Sequence, residues 1–310
     1  MHADAIKRVL QQVGQIVLGK PHEVKLAVAC LIARGHLLIE DLPGMGKTTL
    51  AHALAGALGL SFQRVQFTSD LLPSDVLGVS IYRQDLQGFE FRQGPIFTQI
   101  LLADEINRTT PKTQSALLEA MEERQVSVEG ETRSLPVPFF VIATQNPFTQ
   151  MGTYPLPESQ MDRFLMCISL GYPDQAIERA LLRGEDQRKL LTDLKPATSA
   201  EQLLRWQQAV GEIKLSDAVL DYIQKLVRAT RHHERIEVGL SPRGAIALTR
   251  AAQAWALLEA RDYLIPDDVQ AVFQAVVSHR LFCASDQGGH REGRMMAREI
   301  LAATDVLGHL

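Results

Sequence analysis

The sequence predicts an α/β fold, a parallel sheet with helices on both faces, followed by a smaller all-helical unit. Three observations carry that expectation. Apolar strand-like runs alternate with helical patterns as far as about residue 170. One of those runs enters a glycine-containing loop that opens directly into a helical pattern. After Gly171-Tyr172-Pro173-Asp174 the strand signals vanish, and the chain becomes rich in Ala, Leu, Gln and Arg with helical periodicity. A chain of 310 residues, 46% apolar and 22% charged, is long enough for two packed cores. The expected division is 1–172 and 173–310.

Taken in order, Ile6, Val9, Leu10, Val13, Ile16 and Val17 fall at helical spacing, and Gly19 then Pro21 end the pattern. The strand-like runs are His36 to Glu40, Phe62 to Phe67, Ile100 to Asp104 and Phe139 to Thr144. Two hairpins interrupt them. Residues 79–92 turn at Asp85-Leu86-Gln87-Gly88, and residues 125–135 turn near Glu129-Gly130.

Composition narrows the function. The net charge is −4 with acids and bases interspersed, so the overall field offers no attraction to nucleic acid or an anionic membrane. Leu26 to Ala33 and Phe139 to Ala143, the longest apolar stretches, fall short of the roughly 20 residues that cross a bilayer. The N-terminus lacks the apolar core and small-residue cleavage site of a secretory signal, so a cytoplasmic location is expected. Cys30, Cys167 and Cys283 are widely separated among apolar neighbours, which suits buried reduced thiols.

The chemistry begins after His36-Leu37-Leu38-Ile39. Glu40-Asp41-Leu42-Pro43-Gly44-Met45-Gly46-Lys47-Thr48-Thr49 follows, then a helical pattern through Leu50, Ala53, Leu54, Ala57 and Leu58. This fits the G-x-x-x-x-G-K-[ST] phosphate-loop template except at its first position, where Asp41 replaces glycine. Gly44 and Gly46 let backbone N–H groups curl around phosphate oxygens, and the helix starting near Lys47 aims its positive end at them. Lys47 adds charge on the β and γ phosphates, while the Thr48 hydroxyl suits Mg²⁺. Asp41 is tolerated if its position needs no positive φ.

Ile100-Leu101-Leu102-Ala103-Asp104-Glu105 is a buried strand ending in two acids, at the edge where open sheets bind ligands. Asp104 is placed to hold Mg²⁺ through water, and Glu105 to orient and deprotonate the water attacking the γ-phosphate. Phe139 to Thr144 leads into Gln145-Asn146-Pro147, putting the Asn146 amide at a strand tip where it can hydrogen-bond that water or a γ-phosphate oxygen.

At this point the sequence resembles the AAA+ ATPases, and specifically the MoxR family, over essentially its whole length. The matching residues are Glu40 to Thr49, Gln66 to Asp75, Arg92 to Phe97, Ala103 to Arg108, Leu117 to Glu123, Ala143 to Pro147, Leu156 to Phe164 and Leu240 to Arg243. The resemblance implies ATP and Mg²⁺ as cofactors, a P-loop sheet with a helical lid, and a homo-hexameric ring with ATP at subunit interfaces. It further implies chaperone-like remodelling or maturation of client protein complexes, metal-cofactor insertion among them, and a partner carrying a von Willebrand factor A domain. The hairpin at 79–92 resembles the helix-2 insert, and that at 125–135 the pre-sensor-1 hairpin, both facing the pore. Val17-Leu18-Gly19 resembles the segment that packs on adenine.

Three arginines take roles from position in these motifs. Arg163 matches the interface arginine that reaches a neighbouring subunit's ATP, and Arg108, beside the acidic pair, is the other candidate for that role. Arg243 follows Ser241-Pro242, a good N-cap and first-turn pair, and its side chain is expected to return from the lid to the γ-phosphate. His232-His233-Glu234 lacks the spacing of a zinc motif, and no G-x-S-x-G elbow occurs. The competing readings are a nucleotide-gated scaffold that scarcely hydrolyses, and a nucleic-acid motor or transcription activator on the same core.

Overall fold

The computed structural model describes residues 2–85, 87–146, 153–182, 187–283 and 291–306, so Pro147 of the amide-bearing motif lies outside the described residues. The chain opens with helices α1 (His2–Ile16) and α2 (Pro21–Ile32), followed by strand β1 (Leu37–Glu40), helix α3 (Lys47–Leu58), strand β2 (Phe62–Gln66) and helix α4 (Pro73–Leu77). A hairpin of β3 (Gly78–Arg83) and β4 (Gly88–Gln93) precedes β5 (Ile100–Asp104) and α5 (Pro111–Glu123). A second hairpin, β6 (Gln125–Val128) with β7 (Glu131–Ser134), leads to β8 (Phe140–Gln145), α6 (Glu158–Met161) and β9 (Met166–Ile168).

Five strands form one parallel sheet in the order β2-β5-β8-β1-β9. Its interior strands β1, β5 and β8 are buried at every residue, as a parallel sheet covered on both faces requires. Side chains alternate between the two cores. Leu37, Ile39, Ile100, Leu102, Phe140 and Ile142 join the core built with α1, α2 and α3, while Leu38, Leu101, Ala103, Val141 and Ala143 join the one built with α5. The order carries the chain from β1 outward to β2 and back to β8, so the C-terminal ends of β1, β5 and β8 lie side by side.

Four of the five sheet strands coincide with the apolar runs of the sequence. The fifth, β9, has only three residues, too few to show a period of two. Both expected hairpins form, in register from Gly78↔Gln93 to Arg83↔Gly88 and from Gln125↔Ser134 to Val128↔Glu131.

Beyond the sheet come α7 (Gln175–Leu182), α8 (Gln187–Thr192), α9 (Ala200–Ala209), α10 (Asp217–Arg231), α11 (Pro242–Leu258), α12 (Pro266–Val277) and α13 (Arg291–Ala303). The expectation of no strands here is corrected by β10 (Ile236–Val238) and β11 (Phe282–Cys283), an antiparallel pair of three and two residues, too short to leave a pattern. Ser199, Ser216 and Ser241 cap α9, α10 and α11, each hydroxyl accepting a hydrogen bond from the backbone N–H three residues on. Helix α11 packs on α2 and α12, joining the helical part to the first core. Cys30, Cys167 and Cys283 are buried and form no disulfide among the described residues, and burial raises the thiols of the first two far above the ordinary range. No helix among the described residues is long and apolar enough to cross a membrane.

Candidate active site

The loop between β1 and α3 holds Gly44 and Gly46 at φ of 85° and 86°. A Cβ on either would meet no heavy atom within 4 Å, so conformation rather than crowding calls for glycine. Asp41 is absent from the positive-φ positions, which explains why glycine is dispensable there. It has work of its own: Oδ1 accepts from Leu42 N–H at 2.9 Å, and Oδ2 accepts from Gly171 N–H at 2.6 Å and from Ser169 at 3.2 Å. The buried Asp41 thus ties the loop to the chain leaving β9.

Pro43, Gly44, Gly46, Lys47, Thr48 and Thr49 line a cavity of about 360 Å³ together with Asp104, Glu105 and Asn146. Met45 instead turns toward the first core. Lys47 Nζ donates to the Asp41 carbonyl at 2.6 Å and to Asn146 Oδ1 at 3.3 Å. Burial lowers its pKa below the usual lysine range, and the nearby carboxylates of Asp41, Asp104 and Glu105 counter that shift.

Asn146 Nδ2 in turn donates to Glu105 Oε1 at 3.3 Å, so one amide joins the loop lysine to the second acid. Glu105 sits at φ 57°, a left-handed position for a side chain that cannot take it freely. Its N–H is fixed by Thr144 Oγ1 at 2.9 Å, and the same hydroxyl donates to Asp104 Oδ1 at 2.6 Å. Glu105 Oε2 accepts from Gln66 at 2.9 Å and from Arg108 at 2.8 Å.

Sequence reasoning missed Arg64, Gln66 and Thr144. Arg64 donates twice to Asp104 Oδ2, at 2.6 and 3.2 Å, and lines the cavity beside Gln66. The signal was the alternation Phe62, Arg64, Gln66, which puts two polar side chains on one face of an edge strand whose end pairs Gln66 with Asp104. Arg294 of α13 was also missed; it donates to the buried Glu40 at 2.7 Å and so anchors the last helix beside the phosphate loop.

Both the sheet part and the helical part of the chain match known protein families. Residues 36–166 match the ATPase family associated with various cellular activities (AAA), and residues 228–303 match the AAA lid domain. The chain is 40% identical to Chaperone MoxR1 of Mycobacterium tuberculosis (strain ATCC 25618 / H37Rv), over 91% of this chain and 76% of that protein. It belongs to the MoxR family of AAA+ ATPases. It is also 47% identical to the uncharacterised protein YeaC of Bacillus subtilis (strain 168), over 96% and 94% of the two chains. A crystal structure from Cytophaga hutchinsonii, assigned to the ATPases, superposes with a TM-score of 0.87 at 37% identity, covering 98% of this chain and 95% of that one.

In this MoxR-family chain the cavity fits Mg²⁺-ATP. The loop offers outward space at both glycines, a lysine and the Thr48 hydroxyl, with Asp104 opposite. Thr48 and Asp104 offer two oxygen donors for an ion whose other ligands would be phosphate and water oxygens.

Arg163 and Arg243 are elsewhere. They line a separate cavity that shares no residue with the phosphate-loop cavity, and both grip Glu122: Arg163 Nη2 at 3.1 Å from Oε2, Arg243 Nη1 at 2.9 Å from Oε1. Arg163 also donates to the Leu118 carbonyl at 2.6 Å. This cavity contains His36, just before β1, whereas the phosphate loop follows the other end of that strand, so the two sites face opposite edges of the sheet. The expectation that Arg243 returns to its own γ-phosphate site is therefore not met, although Ser241 caps its helix as expected. Arg108 is the arginine beside the acids, held by Glu105.

Val17, Leu18 and Gly19 do not line the phosphate-loop cavity either; Gly19 approaches Ile177, and Lys20 donates to the Tyr172 carbonyl at 2.8 Å. His233 pairs with Glu299 at 3.7 Å, a surface contact rather than a metal site.

Proposed function

We propose that the chain hydrolyses ATP with Mg²⁺ and uses the cycle to remodel partner proteins. The observation that carries this reading is the continuous link Lys47–Asn146–Glu105 inside one phosphate-sized loop cavity. Lys47 and the loop N–H groups bind the phosphates; Thr48 and Asp104 would hold Mg²⁺, which supplies charge neutralisation on the phosphate oxygens. Glu105 orients the attacking water and accepts its proton, and Asn146 positions both.

Residues 1–172 act as the nucleotide-binding unit and 173–310 as the lid, with Val17, Leu18 and Gly19 flanking the base. The chain works as a hexameric ring in which Arg163 and Arg243 complete the site of a second copy, a reading their place at the opposite sheet edge supports. The hairpins 79–92 and 125–135 face the pore, the chain acts in the cytoplasm, and its partners are a client complex and a von Willebrand factor A protein, with metal-cofactor insertion as the candidate task. Phosphate release is the test. The unaltered chain should release phosphate from ATP in a Mg²⁺-dependent manner, and absence of release with proven nucleotide binding would favour the gated scaffold, for which the triple hold on Glu105 by Asn146, Gln66 and Arg108 speaks.

A further inference from the structure

Six arginines line the cavity of about 250 Å³ at the edge opposite the phosphate loop: Arg34, Arg124, Arg163, Arg243, Arg250 and Arg280. Among the described residues only two carboxylates face them there, Glu122 and Asp162. Both are spoken for. Glu122 binds Arg163 and Arg243, and Asp162 binds Arg280 at 2.7 Å. Arg34, Arg124 and Arg250 have no ion pair or side-chain hydrogen bond among the described residues, and Arg34 Nε is buried without a partner.

These three come from separate elements. Arg34 lies in the turn after α2, Arg124 caps the end of α5, and Arg250 lies in α11 of the helical part. They repel one another: the Arg34 charge helps lower Arg124, and both help lower Arg250, in each case after the larger effect of burial. Three uncompensated guanidinium groups on one wall are an electrostatic liability that an anion would remove.

The chemistry of that anion follows from the count. A carboxylate presents one charge and matches one guanidinium fork, whereas a terminal phosphoryl group carries up to about two charges on three acceptor oxygens. At about 250 Å³ the cavity has room for a phosphoryl group among these side chains.

We propose that Arg34, Arg124 and Arg250 form a phosphoryl-oxyanion site distinct from the Glu122-bound pair, and that its occupant bridges the α/β part to α11. Free phosphate species are one source of that group; the exposed phosphate end of a nucleotide held by a second copy of the chain is the other. The second source rests on the function proposed above, the first does not.

Two arms test the site. In a Lys47→Ala chain, whose own phosphate loop is weakened, pyrophosphate and inorganic phosphate are titrated calorimetrically at constant ionic strength. Binding that weakens about tenfold or more in added Arg34→Gln or Arg250→Gln, and less in Arg250→Lys, establishes the free-anion source. In the second arm, Arg250→Gln is made in the otherwise unaltered chain. Unchanged binding of fluorescent ATP to single chains, together with a rise of about tenfold in the protein concentration needed for ATP-dependent assembly, assigns the site to the second copy's nucleotide. Neither variant should lower the unfolding midpoint without anion, since each removes a repelling charge. If pyrophosphate and phosphate fail to bind and assembly is unchanged, the proposal is overturned. Failure of the unaltered chain to bind ATP would count against the proposed function instead, and the pyrophosphate titration would still decide this site.

Discussion

Arg64 places two guanidinium nitrogens on a single oxygen of Asp104, Oδ2, while Thr144 occupies Oδ1. A hydrated Mg²⁺ held by the Asp104 carboxylate would compete with the arginine for it. Arg64 is half exposed, so its side chain can swing into solvent and leave the largely buried Asp104 to the metal. Arg64→Gln should therefore lower the Mg²⁺ concentration that half-saturates nucleotide binding by about two- to fivefold. Fluorescent-nucleotide titrations at several Mg²⁺ concentrations measure it; a higher Mg²⁺ requirement would show that Arg64 supports metal binding instead.

Glu105 is held by Asn146, Gln66 and Arg108 and sits at a left-handed backbone angle, its N–H bonded to Thr144 and its carbonyl accepting from Arg108 N–H. Glu105→Gln keeps the side-chain shape and the contact with Asn146 Nδ2 but removes the charge that takes a proton. ATP should bind and remain, with hydrolysis reduced by about 10²- to 10⁴-fold. Lys47→Ala should do the opposite and lose nucleotide affinity. Normal phosphate release from Glu105→Gln would remove the residue from the role of base.

How far the sequence exposes this site depends on distance along the chain. Loop, acids and amide were legible because each sits at the end of its own apolar strand, and parallel pairing of β1, β5 and β8 sets those ends side by side. Arg64 and Gln66 were not, because edge strand β2 exposes polar residues whether or not they serve a site. The place of Arg243 depends on how α11 packs against α2, and that of Arg294 on α13 reaching Glu40 across the lid. Neither contact leaves a local pattern.

His36 gives the stability a pH dependence of its own. Its ring is buried, Nδ1 accepting from Val141 N–H at 2.9 Å and Nε2 lying 3.2 Å from the Met121 carbonyl, which fixes a neutral tautomer with the proton on Nε2. Burial first, and the Arg124 charge with it, lowers its pKa from 6.5 to about 4, against the opposing pull of the Met121 carbonyl. The unfolded chain therefore takes up a proton that the folded chain refuses. Its contribution is complete above pH 6.5 and is lost as pH falls toward about 4, a change on the order of 3 kcal/mol. Urea midpoints measured between pH 6.5 and 5, where most carboxylates remain ionised, should fall in the unaltered chain. They should fall less in His36→Asn, whose Oδ1 can accept from Val141; an identical slope in the two chains would place the dependence elsewhere.

Arg163 and Lys47 belong to sites at opposite edges of one sheet, so no chain can bring its own Arg163 to its own phosphate loop without dismantling β1. An arginine that stabilises charge spreading over a transferring phosphoryl group is worth about 10³ to 10⁵ in rate, yet adds little to nucleotide affinity in its own chain. Arg163→Ala should therefore bind ATP nearly normally and hydrolyse it poorly. Arg163→Lys should rescue little, because an ammonium cannot both donate to the Leu118 carbonyl and pair with Glu122 through a planar fork. Mixing supplies the decisive arrangement. Arg163→Ala keeps an intact phosphate loop and Lys47→Ala an intact arginine, so an assembly of both contains interfaces with every group present. Phosphate release from the mixture should exceed the sum of the separate variants. No recovery despite demonstrated co-assembly would return the role to Arg108, which the Glu105 carboxylate already holds beside the acids.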